Sequence, residues 1–161
     1  MECGLYIVTS RSGDRLNGQI ANTVFQVTSQ PPRIATSLSK SNLTHEYIAE
    51  SGVFTVCVMA EEAPFAFIGP FGFRSGRVIN KLEGISYVIG INGCPVITDH
   101  VVASIEARVT DSVDVGTHTL FIGDVVSARL LHDARPMTYA FYQQNLKGKT
   151  PVDSPTYIPE E

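Results

Sequence analysis

The nine residues Val101-Val102-Ala103-Ser104-Ile105-Glu106-Ala107-Arg108-Val109 carry an apolar side chain at every second position, namely Val101, Ala103, Ile105, Ala107 and Val109. Successive side chains of a strand point to opposite faces. The alternation therefore predicts a half-buried strand whose other face, with Ser104, Glu106 and Arg108, is wet. Thr110 to Thr117, with Asp111, Asp114 and Gly116, is a turn-forming stretch, and Thr119 to Leu130 follows as a second strand-like run, so the two make a long hairpin. Period two recurs on both sides of this hairpin. Gly4 to Ser10 and Leu16 to Thr28 form another pair around Ser12-Gly13-Asp14, and Arg33 to Ser39, Phe54 to Met59 and Ile85 to Ile91 read as further strands.

Helical signals are short. Asn42 to Ser51 is the best of them: Asn42 can cap, Glu46 and Glu50 favour helix, and Gly52 can take the left-handed stop. Pro64 to Pro70 and Arg135 to Gln144 are two more. After Leu146 the chain holds Pro151, Pro155 and Pro159 and no periodic apolar pattern, so residues 147–161 read as an extended arm or linker behind a domain spanning 1–146. Strands interspersed with short helices and turns predict a mainly β fold, a small barrel or sandwich.

Composition narrows the function classes. At 161 residues, 43% hydrophobic and 17% charged, the chain is too apolar for a disordered tail and long enough for one core. Twelve basic against sixteen acidic residues give a net charge of −4 with no basic stripe, which argues against a nucleic-acid partner. The longest apolar stretches, such as Val53 to Ala60, are too short to span a bilayer as a helix, so no membrane partner is expected. Cys3, Cys57 and Cys94 are scattered, with no Cys-x-x-Cys pair, and predict buried thiols rather than a metal site or a disulfide framework. Met1 to Ser10 lacks the marks of a secretion signal, and the expected location is the cytoplasm.

The common catalytic and nucleotide signatures are missing: no Gly-x-Gly-x-x-Gly after a strand, no Gly-x-Ser-x-Gly, no His-Glu-x-x-His. Gly148-Lys149-Thr150 resembles the end of a phosphate loop, but Gln143 stands where its first glycine belongs and Pro151 blocks the helix that should follow. Two stretches carry polar chemistry. Ser37-Leu38-Ser39-Lys40-Ser41-Asn42-Leu43-Thr44 leaves a strand and enters a helix, setting hydroxyls and one lysine around free helix N–H groups. This is either a phosphate-sized anion site or a helix start whose hydroxyls bond only their own backbone. Gly18 to Gln26 packs Gln19, Asn22, Thr23 and Gln26 beside Phe25. Its amides can read the polar edge of a flat heterocycle, or they face solvent on an edge strand.

On longer strings the chain resembles the flavin reductase-like, FMN-binding split-barrel proteins, and within them the archaeal ferric reductases and the flavin domain that precedes rubredoxin in some anaerobes. The matching stretches are Gly4 to Ser10, Gly18 to Gln26, Thr44-His45, Phe67-Ile68-Gly69 with Phe71-Gly72-Phe73-Arg74, Asp114 to Phe121, and Lys147-Gly148-Lys149-Thr150-Pro151, which together cover nearly the whole chain. The resemblance implies a homodimer of six-stranded split barrels with FMN, or FAD in its place, near the dimer interface and NAD(P)H as co-substrate. It implies that Gln19, Ala21, Asn22, Thr23 and Phe25 face the flavin ring and ribityl chain. Ser37, Ser39, Asn42 and Thr44 would take the phosphate, while Phe73, Arg74 and Ser75 lie in a glycine-rich turn near the flavin. Lys81 matches a lysine used at the flavin and His118 a histidine near the nicotinamide; these two are the catalytic candidates. Several relatives carry tryptophan where this chain has Phe25.

The expected activity is hydride transfer from NAD(P)H to flavin, with electrons passed to ferric chelates, free flavin or a rubredoxin-like partner. Two other readings stand beside it: an FMN electron carrier slow with nicotinamide, and a β-barrel binding module without catalysis. No metal ligand set is expected. Among the remaining histidines, His45, His100 and His132 read as surface or hydrogen-bonded structural residues.

Overall fold

The computed structural model describes residues 1–159. In chain order the elements are β1 (Tyr6–Ser12), β2 (Arg15–Ala21), β3 (Val24–Ser29), β4 (Pro32–Ser39), α1 (Leu43–Ser51), β5 (Val53–Met59), α2 (Phe65–Phe73), β6 (Tyr87–Ile89), β7 (Pro95–Ile97), β8 (Val101–Asp114), β9 (His118–Leu130) and α3 (Tyr139–Asn145). The fold is mainly β with three short helices. Seven strands form one antiparallel sheet in the order β2-β1-β5-β8-β9-β4-β3, and β6 pairs with β7 apart from it. No described helix is long and apolar enough to cross a membrane.

The sheet curls. In a flat sheet β1 and β4, four places apart, would be separated by about 19 Å. Yet Val8 of β1, Val56 of β5, Phe121 of β9 and Ile34 and Leu38 of β4 share one buried cluster, which only a sheet wrapped around its own inner face allows. A second cluster lies on the outer face of β1 and β5, where Ile7, Cys57 and Met59 meet Ile68 and Phe71 of α2, Ile97 of β7 and Tyr142 of α3. Strands covered on both faces carry unbroken apolar runs, which is why Val53 to Met59 is buried almost throughout.

The same two-sided cover overturns one expectation. Ala103, Ile105 and Ala107 do share the inward face, but a register shift opposite Val58 and Met59 turns Val101 into the outer cluster, and Ser104 and Glu106 are not wet: both are buried, at 1% and 0% exposure. The β6–β7 hairpin covers them, and the Asn92 N–H donates to Glu106 Oε1 at 3.1 Å. The expected turn at Thr110 to Thr117 shrinks to 115–117, since β8 runs on to Asp114 and Gly116 takes a φ of 99°.

Other boundaries move as well. Leu16 to Thr28 is two strands, because at Asn22-Thr23 the chain leaves one edge of the sheet for the other, and this raises the strand count to seven instead of six. α2 passes through Pro70 to Phe73; the carbonyl deprived of its donor belongs to Ala66, which is exposed to water. Ile85 to Ile91 is a three-residue strand, and the last helix starts only after Pro136, where the Thr138 side chain accepts from the Phe141 N–H. Asn42 precedes α1 but makes no side-chain cap, while Gly52 takes the expected left-handed stop with φ 72°.

Candidate functional site

Between β2, β4 and the start of α1 lies a cavity of about 660 Å³, within the size range of small-molecule sites. β2 and the residue after it contribute Gln19, Ala21 and Asn22; β4 contributes Ser37 and Ser39; Asn42 and Thr44 stand at the entry to α1. Phe73, Arg74 and Ser75 come from the end of α2 and the loop beyond it, and Lys81 completes the wall. Residues far apart in sequence thus meet, because the curl brings β2 opposite β4. Thr23 and Phe25 are not among the walls. Thr23 Oγ1 donates to Asn22 Oδ1 at 3.1 Å, and Phe25 is about half exposed on edge strand β3.

The cavity holds unspent hydrogen-bonding capacity. Gln19 Oε1 is buried without a partner among the described residues, a costly state that a bound donor relieves. The first turn of α1 has no side-chain cap, so its N–H groups remain available beside the hydroxyls of Ser39, Ser41 and Thr44. Ser39 and Ser41 bond each other at 2.8 Å, and Thr44 Oγ1 accepts from Asn17 Nδ2 at 2.9 Å.

Lys81 is 7% exposed, donates to the Phe71 carbonyl at 3.3 Å and makes no salt bridge among the described residues. Burial pushes its ammonium down to about 8, opposed only by the negative charge of Asp153. It is a cation near neutral pH, held ready for an anionic partner. At the rim Lys40 pairs with Asp114 at 2.6 Å, and this holds the Asp114 carboxyl below the usual range.

His118 lies across the wall in an adjoining cavity of about 750 Å³, which shares Ser37, Ser39 and Ser41 with the first. Its Nε2 donates to the Asp153 carbonyl at 3.1 Å. Its other ring nitrogen, Nδ1, bonds the Thr117 hydroxyl at 2.8 Å. His45 bonds Thr119 Oγ1 at 2.7 Å, and burial lowers its basicity, so it belongs to the scaffold.

Sequence reasoning missed Asn17, Tyr139, Tyr142 and the segment from Lys149 to Pro155, all of which line the cavity. Asn17 was legible: period two from Ala21 through Gln19 leads to it. The segment was not, because its prolines signal an extended chain and say nothing of where that chain lies. It folds back over the cavity, with Asn22 Nδ2 donating to Thr156 Oγ1 at 2.7 Å, Tyr142 donating to the Lys149 carbonyl at 3.2 Å, and the Tyr139 and Thr150 hydroxyls bonded to each other. Among the described residues no group of three or more His, Cys, Asp or Glu side chains is arranged to hold a metal ion.

Residues 1–149 match the family described as Flavin reductase like domain. The chain is similar to a ferric-chelate reductase (NAD(P)H) of Archaeoglobus fulgidus, 53% identical over 155 residues that make up 96% of this chain and 92% of that one. It is also similar to a high molecular weight rubredoxin of Moorella thermoacetica, 51% identical over 96% of this chain and 67% of the relative. Among solved structures, a flavin reductase HpaC complexed with NADP+ superimposes with a TM-score of 0.75 at 26% identity, covering 86% of each chain. A flavoredoxin from Methanosarcina acetivorans shares the fold at TM-score 0.75 and 22% identity, over 84% of this chain and 74% of its own.

Proposed function

The chain belongs to the flavin reductase-like family and is an oxidoreductase of that family; from that premise we propose that its cavity seats FMN and that it oxidises NAD(P)H. The observation that carries this reading is the joint presence, in one cavity, of the partnerless acceptor Gln19 Oε1 and the uncapped, hydroxyl-ringed start of α1. An amide oxygen takes the imide N–H of a flat heterocycle, and free helix N–H groups take a phosphate. FMN carries both, and its size suits the volume.

A flavin held there supplies acceptance of a hydride and its release as electrons. The chain's own residues bind and orient. Thr44, Ser39 and the N–H groups of α1 hold the phosphate, Ser37 and Asn22 meet the ribityl hydroxyls, and Lys81 sets a positive charge inside a wall that excludes water. His118 positions the nicotinamide through the segment it holds by its bond to the Asp153 carbonyl. Phe73, Arg74 and Ser75 border the ring side of the cavity. Residues 147–159 act as an arm that walls the site of the 1–146 domain. Ferric chelates, free flavin or a small rubredoxin-like protein receive the electrons, in the reducing cytoplasm and from a homodimer.

Anaerobic mixing of the FMN-loaded protein with NADH and with NADPH tests the reading. Bleaching of the flavin absorbance on the timescale of turnover is expected. FMN uptake without bleaching would replace the reductase by an electron carrier, and a colourless protein that takes up no FMN would end the flavin reading.

A further inference from the structure

The outward side of α2 forms an apolar strip that nothing in the flavin reading uses, lined by Phe65, Ala66, Gly69, Pro70 and Phe73. These spacings fall on one side of a helix. Ile68 and Phe71, on the other side, are buried in the core. Phe65 and Phe73 stand out from the surface, 44% and 46% exposed, with ring centroids 6.1 Å apart. Between them the helix is low: a Cβ placed on Gly69 would meet only the Phe65 ring, at 3.7 Å, and Pro70 leaves the Ala66 carbonyl without its helical donor. The strip thus offers two rings and a free acceptor to whatever lies on it.

Three exposed cations border the strip, Arg74, Lys147 and Lys149, and no carboxylate lines it. Among the described residues none of the three makes a salt bridge, and the acids just ahead of α2 are engaged elsewhere, Glu61 with Arg135 and Glu62 with His100. The chain as a whole carries a net charge of −4, so an acidic body is repelled in general and attracted here. Beneath the strip, stacked rings join it to the main cavity. Phe65 lies on Tyr142, with ring centroids 6.5 Å apart and planes 13° from parallel, and Tyr142 lies on Tyr139, 5.9 Å apart and 24° from parallel. Both tyrosines line the cavity, and Phe73, Arg74 and Lys149 line strip and cavity alike. A body seated on Phe65 is therefore separated from the cavity by that ring and Tyr142.

We propose that this strip is where a small acidic protein carrying one electron at a time docks to collect electrons from the cavity. The assignment rests on the flavin reading for the source of those electrons. An apolar centre with a charged rim is the layout of a protein interface, and phenylalanine is favoured at its core. A ferric chelate would use the cations and leave the rings idle, whereas a protein surface with carboxylates around a bare patch covers both. The strip is small, which suits a contact that forms, passes an electron and separates. Its cations set the encounter rate and the orientation. An electron crosses packed side chains without any bond being made, so the partner's redox centre need not enter the cavity. Oxidation of one NAD(P)H then reduces two ferric centres to ferrous, in two successive dockings, and releases one proton.

An acidic rubredoxin serves as the probe, with zinc in place of iron for binding and in its ferric form for turnover. The wild-type protein binds the zinc form, less tightly as salt rises. Ala66→Glu and Lys147→Glu each weaken that binding about three- to ten-fold and raise the KM for ferric rubredoxin by the same factor. FMN uptake and the bleaching of flavin by NAD(P)H hold in both variants, since neither residue lines the cavity. Absence of binding to the wild type, or equal binding by wild type and both variants, overturns the inference. Weakened binding with an unchanged KM for ferric rubredoxin also overturns it, since the electrons then leave elsewhere. A raised KM for NAD(P)H with rubredoxin binding intact overturns it by giving the strip to the nucleotide. Zinc-rubredoxin binding that both variants weaken, in a protein that takes up no FMN, upholds the docking surface and ends the flavin reading instead.

Discussion

Asn17 Nδ2 donates to Thr44 Oγ1 at 2.9 Å across 27 residues of sequence, inside the wall of the main cavity. The bond ties β2 to the start of α1. Because the threonine oxygen accepts from the amide, its own proton is free to be donated into the cavity. The loop after α2 closes over the pair: a Cβ on Gly76 would stand 2.1 Å from Asn17 Oδ1. One buried amide therefore sets the spacing of three wall segments.

Asn17→Ala is expected to lower stability by about 1–3 kcal/mol, the range for a buried hydrogen bond left half made. Asn17→Asp adds a negative charge where Thr44 faces the cavity, and it should weaken FMN far more than riboflavin, which lacks the phosphate. Isothermal titration with both ligands checks this. Equal loss of the two would reduce Asn17 to a scaffold role. Thr44→Ala should likewise weaken FMN, by about 1–3 kcal/mol.

Lys81 gives a pH signature. Its folded-state value of about 8 lies below the usual 10.5 because burial disfavours the ammonium. Between the two values the unfolded chain binds the extra proton, so stability rises with pH across that window and the burial penalty is fully present below it. Lys81→Met removes the penalty. The variant should be the more stable protein at pH 7, by up to about 3 kcal/mol, and the gap should close by pH 10.5. Denaturant melts of both proteins at pH 7, 9 and 10.5 provide the comparison, and FMN affinity of the wild type should fall as pH passes 8.

His118→Ala cuts the bond from the imidazole to the Asp153 carbonyl and frees the segment that carries it. Hydrogen exchange at residues 151–157 should quicken. Flavin reduction by NAD(P)H should slow more than FMN binding weakens, on the order of 100-fold if the hydride donor is misplaced by about 1 Å. Stopped-flow reduction and FMN titration on one preparation separate these effects, and an unchanged reduction rate would remove His118 from the nicotinamide site.

Phe25 points to the outer face of β3, where the register β3–β4–β9–β8 sets Phe25 in line with Ile122 and one step from Leu120 and Val113. Phe25 and Val113 are 48% and 43% exposed. This face suits a second copy of the chain. Sedimentation is expected to give twice the 17.5 kDa of one chain, and Phe25→Glu is expected to shift the mass toward the monomer. A wild-type monomer that still binds FMN would sink the dimer.

Much of this protein is legible in one dimension. The alternation from Val101 to Val109 correctly assigns Ala103, Ile105 and Ala107 to a common face, the string from Ser37 to Thr44 marks a strand running into a helix start, and the step from Ala21 to Gln19 points on to Asn17. These are local properties, because side-chain direction in a strand and free N–H groups at a helix start follow from the backbone within a few residues. Ser104 and Glu106 behave otherwise. Their burial is decided by the β6–β7 hairpin that covers them, and nothing in their own neighbourhood encodes that cover. The site walls divide the same way. Gln19, Ser39 and Thr44 announce polar chemistry by type and spacing, but that Lys81, Tyr142 and Asp153 complete the cavity depends on how a curled sheet brings β2 opposite β4 and lets the C-terminal segment lie between them. Contacts between residues more than a hundred positions apart form only when the sheet closes on its own apolar face, and no local pattern in the chain carries them.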